Sequence, residues 1–279
     1  MRYILTRIFF SLFIVLLLIG LISSCANVAS PNGGPYDEAP PKFLGSTPTL
    51  HETNFKGKKI EILFDELIQL EKPSENVIIT PPQKILPVIR TAGKKILVEI
   101  QDSIIDNMTY TIDFTSSIVD NNEKNVLENF SFSFSTGEVV DSLQVSGILL
   151  DASNLEPMPG IMVGLHRDLA DSAFTTTPFF RTSKTNDRGR FTIRNIAPGT
   201  YRLYALNDVN RDYLFDQPGE EIAFYDSIIV PTFEPAIRQD TIWKDSITVD
   251  TIHVVEYNRF LPDDILLRLF KEDFQRQYM

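Results

Sequence analysis

The chain has 279 residues, with 26 Lys and Arg against 37 Asp and Glu, a formal net charge of −11, three histidines and one cysteine. Such an acidic balance argues against nucleic acid as a partner. A single cysteine excludes any disulfide within the chain.

In chain order, Arg2 and Arg7 flank the start of an almost continuously apolar run from Ile8 to Leu21, with small residues at Ser23 and Ser24. That is the layout of a signal peptide. The run is shorter than the roughly 20 residues a transmembrane helix needs. Ile22-Ser23-Ser24-Cys25 resembles the lipobox of bacterial lipoproteins. The resemblance implies a leader at 1–24, cleavage before Cys25 and a diacylglycerol on its thiol, so membrane contact is made through lipid. Two or more acyl chains anchor a protein stably where one anchors it only marginally. The other reading is an ordinary signal peptide with a chance cysteine. Losing two arginines and no acids takes the net charge from −11 to −13. An acidic chain is repelled by anionic lipid, so the protein is expected to project from the membrane. No Asp follows Cys25 directly and no acidic cluster comes soon after it. By resemblance to known sorting rules, this implies an outer-membrane protein facing the periplasm rather than the cell surface.

Residues 25–42 hold Pro31, Gly33, Gly34, Pro35, Pro40 and Pro41 and read as a semi-extended tether. From 43 to 138, short runs such as KKIEILFDE, KKILVEI, TYTIDFT and FSFSFSTG alternate apolar and polar residues, the period of half-buried strands. Phe130, Phe132 and Phe134 are expected to face a core and Ser131, Ser133 and Ser135 to face water. Strands at this spacing with no convincing helix between them indicate a β-sandwich. The segments PPKFLGSTPT, KIEILFDELIQ, NMTYTIDFTSSIVDNNEKN and FSFSTG together resemble an SbsA-type bacterial Ig-like domain, a module usually found in extracytoplasmic proteins. Asp120-Asn121-Asn122-Glu123 crowds oxygen ligands but reads as a polar turn.

A second unit is expected at 141–230. In TNDRGRFTIRNIAPGTYRLYALND, Phe191 and Ile193 alternate, Pro198-Gly199 turns, and Tyr201, Leu203 and Ala205 alternate again, which predicts a hairpin. The pattern Gly-x-Phe-x-Ile-x-x-Ile-x-Pro-Gly-x-Tyr-x-Leu resembles carboxypeptidase regulatory-like and Cna B-type domains. It implies a transthyretin-like (prealbumin-like) sandwich that is an accessory or stalk rather than a catalytic part. Some such domains close an isopeptide from a lysine on the first strand, and Leu143 to Leu150 has no lysine. In NDVNRDYLFDQPGEE, Asp208, Asn210, Asp212 and Asp216 recur at even spacing, a candidate calcium loop. Tyr213 stands where an EF-hand wants glycine, so a solvated acidic loop with no cofactor is the other reading.

Residues 231–257 repeat Asp-Thr/Ser-Ile in steps of five, which fits neither helix nor strand and reads as an extended linker with at most one edge strand. Asp-Ser/Thr before a small apolar residue resembles a bacterial O-glycosylation acceptor, making Thr241, Ser246 and Thr251 candidates. Turn and cap chemistry is the alternative. The segment 258–279 reads as an amphipathic helix opened by Pro262, Asp263 and Asp264, with Leu266, Phe270 and Phe274 on one face. Proteins of this arrangement usually continue into a further β-rich half, so by resemblance the chain reads as truncated or unusually short.

The fold class read from the sequence is therefore all-β, two tandem β-sandwiches with a lipoprotein signal peptide and a short C-terminal α-helix. His51, His166 and His253 lie in three different segments and no nucleophile or phosphate-binding motif is present. The expected role is noncatalytic: a lipid-anchored scaffold, spacer or protein-binding module of the cell envelope, with an unidentified envelope protein as partner. The alternatives are a glycan binder, with Trp243, Tyr213 and Phe215 available for stacking, and an accessory subunit of an envelope enzyme.

Overall fold

The computed structural model describes residues 3, 7, 10, 11, 37–243 and 249–271, and the side chains of these apart from 242–243 and 249–250. The chain divides into an N-terminal unit, Met1–Glu38, and a compact unit, Ala39–Met279. In the first, residues 3, 7, 10 and 11 are helical; Cys25 and the tether up to residue 36 lie outside the described residues.

The compact unit opens with β1 (Phe43–Thr47), β2 (Lys59–Phe64), β3 (Ile68–Leu70), the single turn α1 (Pro73–Asn76), β4 (Ile78–Thr80), β5 (Val88–Ala92), β6 (Lys95–Glu99), β7 (Thr109–Asp113), β8 (Ile118–Asp120), β9 (Val126–Leu127) and β10 (Ser131–Ser135). Two sheets, ordered β1-β2-β6-β5 and β10-β7-β4, share one core, and a small sheet β3-β8-β9 closes one side. The alternation seen in the sequence fixes which residues enter it. Ile60, Ile62 and Phe64 of β2, Ile96 and Val98 of β6, and Phe132 and Phe134 of β10 are all buried. Tyr110 stacks on Phe134 at 5.2 Å and 3°, and Phe55 meets the same ring edge-on at 5.1 Å.

Asp120-Asn121-Asn122-Glu123 is a turn, as its composition indicates. Burial of the Asp120 carboxylate pushes its pKa up, but it accepts the backbone N–H groups of Asn122, Glu123, Lys124 and Asn125 at 2.7–3.0 Å, and these hold it below the usual range.

The second sandwich comprises β11 (Leu143–Asp151), β12 (Met162–His166), the turn α2 (Ala173–Thr176), β13 (Arg181–Lys184), β14 (Arg190–Ile196), β15 (Arg202–Leu206) and β16 (Glu221–Phe224). The chain then forms β17 (Thr232–Trp243), β18 (Val249–Leu261) and β19 (Ile265–Lys271). A single sheet, β13-β12-β15-β16-β19-β11-β14, curls until its two edges β13 and β14 come into contact, enclosing the core.

Three expectations are corrected here. Phe191, Ile193, Tyr201, Leu203 and Ala205 are buried as their alternation requires, but β14 and β15 are not a hairpin. β14 pairs with β11, and β15 pairs with β12 and β16. The Pro198-Gly199 turn carries the chain from one end of the curled sheet to its middle. Over its described residues the linker expected at 231–257 is a long antiparallel ribbon, β17 with β18, from Thr232↔Leu261 to Trp243↔Val249.

In place of the C-terminal helix expected over 258–279, Ile265–Lys271 form a strand; Phe274 lies outside the described residues. Leu266 and Phe270, read as a helical stripe, are exposed, while Ile265, Leu267 and Leu269 between them are buried at 1–3% exposure. Both periods are present in ILLRLFK; the tertiary setting selects period two. β19 fills the gap between β11 and β16, so both of its edges find hydrogen-bond partners. It runs parallel to β11, from Gly147↔Ile265 to Asp151↔Leu269, and it extends the second sandwich well beyond residue 230.

Gly147 permits this pairing, since a Cβ there would overlap the carbonyl oxygen of Ile265. Gly147→Ala is therefore expected to cost about 1–3 kcal/mol through overpacking. Hydrogen exchange should show the loss as reduced protection of residues 265–269, and urea denaturation as a lower midpoint.

Candidate functional site

The junction between the sandwiches is built from a face that looks solvated in sequence. Thr109, Thr111 and Asp113 of β7 alternate with Tyr110 and Ile112, yet all five are buried. Ser133 and Ser135 are buried too, which corrects their expected exposure. The segment 51–55 covers them, with His51 Nδ1 bonded to Ser133 Oγ at 2.8 Å. The second sandwich covers the rest. Thr111 Oγ1 donates to Asn195 Oδ1 at 3.0 Å, and Asn195 Nδ2 donates to the Asp141 carbonyl at 2.8 Å. The register of β11 on β14 slips at this point, and the bulge turns Asn195, in the left-handed region at φ 56°, toward the first sandwich. Arg194 Nη1 lies 3.5 Å from Asp113 Oδ2, and Thr80 Oγ1 lies 3.3 Å from both oxygens of Thr182. Lys184 Nζ and Arg211 Nη1 donate to the carbonyls of Glu75 and Ser74 in α1.

Burial pushes the Asp113 carboxyl up, against Arg194 and the Thr115 N–H, which pull it down. Arg181, fully buried at the start of β13, has Asp141 Oδ2 at 3.6 Å and no hydrogen-bond partner for its three guanidinium nitrogens. Burial draws its pKa down to about 10, with Asp141 acting the other way.

Beside the junction is an open cavity of about 370 Å³, with Pro81, Pro82 and Met108 on one wall and Arg167, Phe179 and Phe180 on the other. The Arg167 guanidinium stacks 3.6 Å from the centre of the Phe180 ring. His166 borders the cavity but sits in an aromatic box, 4.8 Å from Phe179, 5.7 Å from Tyr204 and 6.4 Å from Phe174. The box belongs to a small satellite core on the outer face of β12 and β15, roofed by the loops 167–180 and 207–220. Gly164 leaves the space that the Phe179 ring occupies.

Tyr213 and Phe215 are part of this roof. Both are half-buried against the satellite core, and Phe215 stacks on Phe174 at 5.5 Å and 13°. The Trp243 side chain lies outside the described ones.

The acidic loop turns its oxygens inward. Asp208 accepts the N–H groups of Arg211 and Tyr213, and Asp212 accepts that of Leu214. Asn210 Nδ2 donates to Asp212 and Asp216. Buried Glu220, not singled out in the sequence, accepts the N–H groups of Val209, Asp216 and Gln217 and ties the loop together. Burial pushes Asp208 up despite its two N–H bonds, with Asp212 and Glu220 adding to the rise. Among the described residues no group of three or more His, Cys, Asp and Glu side chains is placed to hold a metal ion.

Of the glycosylation candidates, Thr241 and Thr251 are exposed on β17 and β18 and Ser246 lies outside the described residues. The histidines remain apart: His51 at the serine face, His166 in its box, and His253 exposed on β18. No described helix is long and apolar enough to cross a membrane.

Residues 37–136 match the bacterial Ig-like domain family. The match spans the first sandwich and about a third of the chain. No curated protein matches the chain. Among solved structures, the N-terminal part of the bacterial S-layer protein SbsC matches over 69% of this chain and 44% of its own length, at 14% identity and a TM-score of 0.26. The L,D-transpeptidase from Mycobacterium smegmatis matches over 58% of this chain and 79% of its own, at 11% and 0.25. BcpA, the major pilin subunit of Bacillus cereus, matches over 83% and 71%, at 10% and 0.22. The chain thus spans less than half of the S-layer fragment, and the architecture described above rests on its own strand pairing.

The buried histidine supplies a pH signature. Burial draws the imidazole from 6.5 down to about 4, against the upward pull of Asp168. The unfolded chain takes up a proton near pH 6.5 that the folded site refuses until about pH 4, so stability held above pH 6.5 is lost as pH falls through that window. His166→Phe keeps a ring in the box and removes the titration. Its melting temperature is expected to fall less than that of the wild type between pH 6.5 and 4.

Proposed function

We propose that the chain is a noncatalytic, lipid-anchored spacer and scaffold of the bacterial cell envelope, held through a lipidated Cys25 at the outer membrane and facing the periplasm. The observation that carries this reading is the junction. Two sandwiches joined by a flexible linker would sample many orientations. Here the connecting residue Asp141 is itself bonded into the interface, and side chains of both sandwiches bury one another's polar groups. A fixed relation between two small domains suits a part that sets a distance or presents a surface.

The leader supports the anchor, since its basic start, short apolar run and Ser23-Ser24-Cys25 end match that chemistry. An envelope protein held at a set distance from the membrane is the corresponding partner.

Cell fractionation tests the reading. The wild-type protein should sediment with outer membranes and resist protease added to intact cells. Cys25→Ser should leave the protein soluble in the periplasm or with its leader uncut. A Cys25→Ser protein that is normally processed and still membrane-bound would refute lipid anchoring, and digestion in intact cells would move the protein to the cell surface.

A further inference from the structure

In the second sandwich the strand that enters and the last of the described strands lie side by side and run the same way. β11 and β19 are parallel from Gly147↔Ile265 to Asp151↔Leu269. Ser146 N donates to the Pro262 carbonyl and Ala152 N to the Leu269 carbonyl at the two ends of this ladder. The first sandwich is built differently: its first strand β1 pairs with β2 and its last, β10, with β7, both antiparallel.

This orientation decides how tension acts. A pull on the two ends of a domain drags its first strand toward that strand's N-terminal end and its last strand toward that strand's C-terminal end. If the two are parallel neighbours they must slide past each other, and every hydrogen bond of the ladder is loaded together. If they were antiparallel neighbours, the ends would emerge on one side and the bonds would open singly.

We propose that the second sandwich is a load-bearing element, closed by a shear clamp between its entering and leaving strands, so that it transmits tension from one end to the other. The proposal deepens the anchored-spacer reading, from which it takes the direction of the load. The connection into the clamp is itself braced. Arg259 holds Asp263 through two hydrogen bonds of 2.8 and 3.0 Å, next to the Pro262 carbonyl at the head of the ladder. The buried side chains of β19, Ile265, Leu267 and Leu269, add core packing that has to shear with the bonds.

Single-molecule pulling on the full chain, with Cys25→Ser and pairs of introduced cysteines as handles, tests this directly. Forced unfolding reports the barrier along the chosen direction and not the equilibrium stability. Handles at Val139→Cys and Met279→Cys load the clamp in shear; Val139→Cys with Asp264→Cys pulls the same two strands apart from one end. The shear pair is expected to give a several-fold higher peak force than the opening pair. Equal peaks, or a higher peak in the opening direction, would overturn the proposal. Because the two pairs differ in the second handle, the melting temperatures of both variants are compared, and the contrast counts only where they agree. The fractionation of Cys25→Ser is independent of it: a processed Cys25→Ser protein that stays membrane-bound, with the force contrast intact, would remove the lipid anchor and leave the clamp, and a soluble one without the contrast would remove the clamp alone.

Discussion

The structure depends on hiding a polar sheet face. Thr109, Thr111 and Asp113 of β7, with Thr80 of β4, are removed from water by the second sandwich, and each such group costs free energy unless it is bonded. The partners come from β13, β14 and the connecting residue: Thr182, Arg194, Asn195 and Asp141. A neutral bond of this kind contributes only about 0.5–1.5 kcal/mol net, but leaving its buried partner unsatisfied costs more. The junction is therefore specific rather than strongly adhesive. Any other relation of the two sandwiches would cost Asp113 its Arg194 and the threonines their partners across the junction, and this asymmetry fixes the geometry.

The same logic governs the acidic loops. A net charge of −11 invites a search for cations, yet the most crowded carboxylates are engaged by their own backbone. Asp120 accepts four N–H groups and Glu220 accepts three. Short Asp and Asn side chains in turns compete for main-chain donors before any ion arrives. In the loop 208–216 this arrangement has a structural purpose, since the loop carries Tyr213 and Phe215 onto the satellite core and Arg211 onto α1. Its acids shape the roof of the satellite core.

The strands of both sandwiches were legible because alternation is a local property. Ile60, Ile62 and Phe64, or Phe191 and Ile193, can be placed inward without knowing their neighbours. Pairing is not local. The turn at Pro198-Gly199 looks like a hairpin, and only the competing edges of β11 and β12 send β14 and β15 to different partners. In ILLRLFK the apolar residues satisfy a helical stripe and a strand face equally. The vacant edges of β11 and β16 decide between them, and those edges come from residues far away in sequence.

The junction itself was hidden for a related reason. A run such as TYTID reads as one face in a core and one in water, because polar side chains satisfied by a second sheet have the same composition as polar side chains satisfied by solvent. Arg181 and His166 left no signal either, since a lone Arg or His in a strand is ordinary, and what distinguishes these two is burial by loops remote in sequence. The ribbon of β17 and β18 shows the converse. Phe233, Ile237, Ile252 and Val254 project from one face and are 54–67% exposed, while Glu234, Arg238, Asp240 and Arg259 occupy the other, where Arg259 bridges Glu234 and Arg238 bridges Asp240. Steps of five in Asp-Thr/Ser-Ile scatter the acids over both faces of any strand and so masked a pattern that register makes plain. A two-stranded ribbon of this length cannot bury its own apolar face. Its ordered pairing is sustained instead by cross-strand contacts such as Phe233 with Phe260, at 6.3 Å, and by its root beside β11.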